Sequence, residues 1–279
     1  MPYLIGFVDD SNGQSAHYNL LQVIRDFAAQ NGWQVNRYDT APDNRELLLQ
    51  APGYTGADAV YCGLRTYQSV TADYYNLAVM CAAGFVAGNS FDTQPGAVLS
   101  GVPAHNQRID YWLTLNPQRI AGGMKVGTPV YESFYLGKFF PYARPSQYPY
   151  PVVCGGMLSG TPATRFSDTA HSMPWKGSRA NLQMRFVDGL LKQTATYPWN
   201  NVNLAGSAAQ LRDTGGIYPL TPVEMMDANG VYGFLDGVFH IPGFNNVVEN
   251  TFTLNGADYV VLQDVYRTGF NDYFALRLD

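Results

Sequence analysis

The side chains best suited to acid–base, nucleophilic or metal chemistry are thinly spread along this chain. His17, His105, His171 and His240 stand alone in sequence, whereas ligands on one element usually recur within a few residues. His171 lies in DTAHSMPW beside Asp168 and Ser172, the residue types of a Ser-His-Asp triad. Sequence neighbours rarely converge in that way, so a loop histidine is the simpler reading. His240, between Phe239 and Ile241, reads as a structural strand residue. In Gly156-Met-Leu-Ser159-Gly160 the serine is out of register for a nucleophile elbow. No G-x-G-x-x-G, G-x-x-x-x-G-K-[ST] or H-E-x-x-H string occurs. Asp9-Asp10-Ser11-Asn12-Gly13 starts like a calcium loop but lacks its register and distal Glu, which favours an Asx turn. Asp168, Asp188 and Glu224 would serve a hydrolase only if the fold gathered them. The expectation is a protein that is not an enzyme, with no catalytic, cofactor-binding or metal-ligating residues.

The elements that would position such groups are mostly strands. In His17–Asn31, Leu20, Leu21, Val23, Ile24, Phe27 and Ala28 recur at helical spacing, with Ser15 as N-cap and Gly32 as stop. Strands are predicted at Trp33–Tyr38, Arg45–Gln50, Ala57–Arg65 and Tyr74–Cys81, then at Ile109–Leu115 and Arg119–Val126. Two hairpins are expected later in the chain. One turns at Asp236-Gly237 between Val231–Leu235 and Val238–Ile241; the other turns at Asn255-Gly256 between Asn250–Leu254 and Asp258–Gln263. Phe274–Leu278 closes the chain. Between Gly155 and Gly215 little periodicity survives, as in an insertion that takes its order from neighbours. The expected class is α+β and predominantly antiparallel β: a helix-plus-sheet domain over 1–115, then a β-rich, loop-rich domain over 116–279.

Composition narrows the partners. Charged residues make up 14% of the 279, against a usual share of roughly 25%. A charge-poor surface rich in tyrosine suits extensive protein contact, although the same residues also build ordinary strands. A net charge of −5 without a basic run argues against nucleic-acid recognition. No apolar stretch approaches the roughly 20 residues that span a bilayer, and MPYLIGFVDD lacks the pattern of a signal peptide. Cys62, Cys81 and Cys154 show no metal spacing and are odd in number, so buried thiols and synthesis in a reducing cytoplasm are expected. Trp33 and Trp112 are expected in the core, while Trp175 and Trp199 follow prolines and could lie exposed.

The most distinctive stretch is Tyr131–Val153, YESFYLGKFFPYARPSQYPYPVV. An aromatic strand gives way to Pro141, Pro145, Pro149 and Pro151. Each proline removes a donor, and each residue before one is held extended, Arg144, Tyr148 and Tyr150 among them. Such a pre-extended arm loses little entropy on docking, within its own subunit or a neighbour.

This segment, from Ile109 to Gly156, resembles one in uncharacterised virion structural proteins of tailed bacteriophages. The signature is carried by Tyr131, Tyr135, Gly137, Pro141, Tyr142, Ala143, Pro145, Tyr148, Pro149, Tyr150 and Pro151. Gly84–Ala97 and the C-terminal LDGVFHIPGFNN…ENTFTLNGADYVVLQDVYRTGFNDYFALRL are similar to further shared blocks. Asn116-Pro117-Gln118-Arg119 departs from the expected turn, which leaves the local turn geometry open. The resemblance implies a virion component of the tail, neck or baseplate, made in the host cytoplasm. It would contact other tail or neck proteins and itself in a ring, with six copies as the family-level expectation. Tyr135, Phe139, Phe140, Tyr142, Arg144, Tyr148, Tyr150 and Trp175 are the expected subunit-contact residues. The alternative is a receptor- or glycan-binding tail protein, with the 155–215 region and Trp175 facing the host.

Overall fold

A computed structural model describes residues 1–143, 153–156, 158, 171–176, 182–185, 189–199, 219–243 and 246–279. The chain is α+β and mostly antiparallel β. Helix α1 (Ala16–Gln30) matches its apolar spacing, burying Leu20, Leu21, Ile24 and Phe27. Gly32 follows it at a positive φ of 84°, while Ser15 makes no side-chain cap. No helix among the described residues is long and apolar enough to cross a membrane.

Two sheets carry the rest. A five-stranded meander runs β2 (Gln34–Asp39), β3 (Glu46–Ala51), β4 (Val60–Ser69), β5 (Tyr74–Ala82) and β6 (Val98–Pro103). The larger sheet begins with β1 (Tyr3–Asp9), β7 (Arg108–Asn116), β8 (Arg119–Lys125), β9 (Tyr131–Gly137), β11 (Val153–Gly155) and β12 (Leu182–Arg185). It turns a corner at β13 (Leu191–Tyr197) and continues through β14 (Thr221–Asp227), β15 (Gly230–His240), β18 (Tyr273–Arg277), β17 (Ala257–Gln263) and β16 (Thr251–Leu254). The two-residue β10 (Phe140–Pro141) pairs off this path with β15. The expected division at 115 and 116 falls inside the β7–β8 hairpin.

Period-two alternation makes the front half of the large sheet a shared wall. Ile109, Leu113, Ile120, Phe134 and Leu136 pack with α1 and the five-stranded sheet. Trp112, Ala121 and Tyr135 point the other way, into a second core with Leu235, Leu262, Phe274 and Leu276 from the back half. The result is three packed layers around two cores.

The predicted hairpin at Asn255-Gly256 is present, both residues at positive φ (53° and 78°) as a type I′ turn requires. The one at Asp236-Gly237 is not. β15 runs straight through that pair, and the turn lies upstream between Asp227 and Gly230. Gly237 has φ 77° for a different reason: a Cβ there would come within 2.4 Å of the Arg119 guanidinium. Strand β1 has no counterpart in the sequence reading, because its residues are apolar on both faces and show no alternation.

Arg119 is fully buried, with its Nε 3.7 Å from the Asp236 carboxylate. Asn116 Nδ2 donates to the same carboxylate at 2.5 Å, and Arg119 also donates to Thr114 and, at 2.8 Å, to Met1 Sδ. Asn116 Oδ1 in turn accepts from the backbone N–H groups of Gln118 and Arg119. The geometry of the Asn116–Arg119 turn, open from sequence, is thereby an Asx-type reversal locked by its own first residue. Removing one partner of such a pair leaves a buried charge alone. Arg119→Ala should therefore cost about 3–5 kcal/mol, read as a lower urea midpoint. Combining it with Asp236→Ala should cost clearly less than the two single losses added.

Candidate functional site

Four aromatic rings line up on the outer face of the back half. Beyond β9, consecutive residues point to opposite sides, so Phe139 enters the core and Phe140 stays at the surface. Phe140 is held there by pairing with Phe234 of β15, their rings 5.3 Å apart. Tyr54, from the loop after β3, stacks on the other side of Phe140 at 5.9 Å and an interplanar angle of 5°. Tyr142 leans on Phe234, also at 5.9 Å, and its backbone N–H bonds Tyr232 O at 2.9 Å. Tyr54 and Tyr142 remain 53% and 56% exposed.

Acidic groups flank this ladder. Glu224 of β14 sits opposite Phe234 in the sheet and accepts the Tyr142 hydroxyl proton in a hydrogen bond. Partial burial of that hydroxyl and the bond to Glu224 push the phenol up to about 12, so it stays a donor at neutral pH. Asp227 lies farther along β14. Two cations of the neighbouring segments are committed: Lys138 to Asp58 at 3.0 Å and Arg119 to Asp236.

The sequence-predicted contact residues divide accordingly. Phe140 and Tyr142 are in the ladder. Tyr135, Phe139 and Trp175 are corrected to interior positions of the chain. Tyr135 donates its hydroxyl to Lys138 O at 2.6 Å. Trp175 is fully buried, edge-on to Phe274 at 4.8 Å. Arg144, Tyr148 and Tyr150 lie outside the described residues. Trp199 is also buried and donates to Asn271 O at 2.9 Å. Tyr54 and Phe234 were missed, since one is a lone loop tyrosine and the other an ordinary strand residue until the sheet sets them beside Phe140.

A second apolar surface was missed as well. β1 pairs only with β7, which makes it one edge of the large sheet. Its Tyr3, Ile5 and Phe7 face outward, 47%, 44% and 53% exposed. The back half stops short of this edge, leaving an open groove of about 690 Å³ lined by Ile5, Phe7, Trp112, Arg108, Asp110, Lys125 and Glu249. Its charges are paired: Arg108 with Asp110 at 2.7 Å, and Lys125 with Glu249 at 2.8 Å.

The groups with chemical potential were brought together in one unforeseen way. Asp264, at the end of β17, is fully buried and accepts from Ser172 Oγ (2.9 Å), Met173 N (2.6 Å), Lys176 Nζ (2.7 Å) and Arg267 Nη1 (3.2 Å). Lys176 also reaches Asp272. Ser172 thus donates to a carboxylate that neutralises two cations. His171 is buried beside it, and Asp168 and Asp188 are outside the described residues. Asp9 and Asn12 cap backbone N–H groups of Ser11 and Gln14, the expected Asx turns. The three thiols are buried as expected, with Cys62 and Cys81 sulfurs 3.8 Å apart on facing strands. Among the described residues no group of three or more His, Cys, Asp or Glu could hold a metal ion. No protein-family model and no curated protein matches the chain.

One carboxyl is unusual. Glu132 of β9 is buried beside its cross-strand neighbour Met124, and neither of its oxygens has a partner among the described residues. Burial first, and the Asp264 charge second, push its pKa well above the ordinary glutamate value, against a smaller pull from Arg267. The folded chain keeps a proton that the unfolded chain releases above about pH 4.3. Stability from this group is therefore full below that pH and declines as pH rises toward the folded pKa. Glu132→Gln should remove the decline. Unfolding free energies across pH 4–8 should show the variant gaining on the native chain as pH rises. A pH-independent difference would contradict a protonated Glu132.

Proposed function

We propose that this chain is a structural subunit of a tailed-phage virion, assembling head to tail as a ring in the tail or at the head–tail junction. The observation that carries the reading is the presence of two unlike exposed apolar surfaces, the ring ladder and the outward face of β1. A surface that meets its own copy across a twofold axis is one self-complementary patch. Two different patches suit a heterologous contact, which closes into a ring when the rotation permits. The resemblance at Tyr131–Val153 and in the C-terminal blocks supplies the phage context; Phe140 and Tyr142 of the ladder lie inside the first block, and Phe234 immediately precedes the second. Making the subunit in the host cytoplasm fits its three buried free thiols.

Native mass spectrometry and light scattering on the purified protein should give one closed oligomer, six copies on the family-level expectation. Ile5→Asp combined with Phe7→Asp changes exposed side chains only, and should yield folded monomers. A native chain that stays monomeric at high concentration, and that labels no ring on particles, would refute the proposal.

The groove beside β1 favours one second reading, a host-glycan contact. Ile5 and Phe7 offer apolar surface, and paired charges of both signs suit a neutral polyhydroxylated ligand. Under that reading added protein blocks phage adsorption; under the first it leaves adsorption unchanged.

A further inference from the structure

Aromatic rings in consecutive contact, open to solvent and flanked by carboxylates, form the surface that recognises polyproline II segments carrying an arginine. The Tyr54–Phe140–Phe234–Tyr142 ladder has that form, with ring-to-ring steps of 5.9, 5.3 and 5.9 Å. We propose that this ladder is a polyproline II docking site, and that its occupant is the Arg144–Pro151 segment of a neighbouring copy. The proposal rests on the ring reading above and gives the ladder a contact of its own, in addition to the one made through β1.

The occupant follows from charge and from chain path. RPSQYPYP holds three prolines and two tyrosines to lie on the exposed ring faces, and Arg144 is its one charged residue. Glu224 of β14, bonded to Tyr142, gives the ladder an acidic neighbour, and Asp227 lies three residues farther along the same strand. Lys192, which acts on Asp227 from β13, is the cation there that Arg144 must outbid. Lys138 and Arg119 already have their partners.

A subunit is poorly placed to use its own segment. Phe140 to Tyr142 already run along the ladder, toward the Tyr142 end, and the chain reaches Arg144 two residues later. To lie back over the same rings it would have to reverse at once, and a residue that precedes a proline, as Arg144 does in the sequence, disfavours the helical backbone a tight reversal uses. The other end is fixed as well, because Val153 pairs with Gly137 on β9. The ten residue steps from Ala143 to Val153 allow an out-and-back reach of roughly 15 Å, at about 3.3–3.6 Å per residue. That is enough to cross a subunit boundary.

The test uses full-length protein and two single variants, Tyr54→Cys and Tyr148→Cys, the native thiols being buried. Each is prepared alone and mixed with the other, treated with a short bismaleimide, and weighed by native and denaturing mass spectrometry. The expected result is a one-to-one covalent dimer in the mixture and not in either variant alone. A free peptide of residues 143–152 should compete with it, and an Arg144→Glu version of that peptide should compete at least tenfold less well. An intact ring without the mixed dimer overturns the docking site and leaves the ring reading standing. So does a crosslink found only within single chains of the Tyr54→Cys, Tyr148→Cys double variant. Absence of any ring in the native protein overturns both.

Discussion

The buried pair between Arg119 and Asp236 is the fastening on which the layers depend. Arg119 opens β8 in the front half of the large sheet, and Asp236 lies mid-strand in β15 of the back half. Their contact ties the two halves together beside the short β10–β15 pairing, which is the nearby backbone link. The turn that presents Arg119 reaches the other layer too. Asn116 O accepts from Trp33 Nε1 at 2.9 Å, Pro117 O from Gly53 N at 2.8 Å, and Gln118 O from Lys138 N at 2.9 Å. Four residues thus touch the end of the helix, the loop after β3, the end of β9 and the back half. Desolvating a guanidinium is costly, and those surrounding bonds offset much of the cost.

This fastening also shapes the ladder. Gly137, with φ 127°, lies so close to the turn that a Cβ would fall 2.3 Å from Gln118 O. The chain leaves β9 there at a fixed angle and delivers Phe140 to the outer face of β15. Tyr54 belongs to the loop tied by Gly53 to Pro117, and its hydroxyl reaches Asp236 at 3.4 Å. Two of the four rings are therefore positioned by one buried turn, although neither is near it in sequence.

How much of this was legible depended on whether a signal was local. The helix, the Asn255-Gly256 hairpin and the core positions of Trp33 and Trp112 follow from spacing and turn chemistry, and all are present. Asp236-Gly237 carries the same local signature as a hairpin, but the aspartate is engaged by Arg119 more than a hundred positions earlier. Trp175 looked like an exposed loop residue because sequence could not reveal that Asp264 draws Ser172–Lys176 inward. The ladder was half visible: Phe140 and Tyr142 stood out by their proline context, whereas Tyr54 and Phe234 gain meaning only from strand order. β1 gave no sign, because one face packs on the core while the other is apolar as well, which leaves no alternation to read.

The pairing of β1 with β7 has a consequence in time. Tyr3 lies opposite Thr114 and Asp9 opposite Arg108, so the first strand made has no partner until the chain has grown by about a hundred residues. At roughly 5–20 residues per second, synthesis leaves that strand waiting for some 5–20 s. During the delay its apolar side chains and both backbone edges stay open to solvent and to other chains, so the strand that ends as a sheet edge spends its first seconds without any sheet.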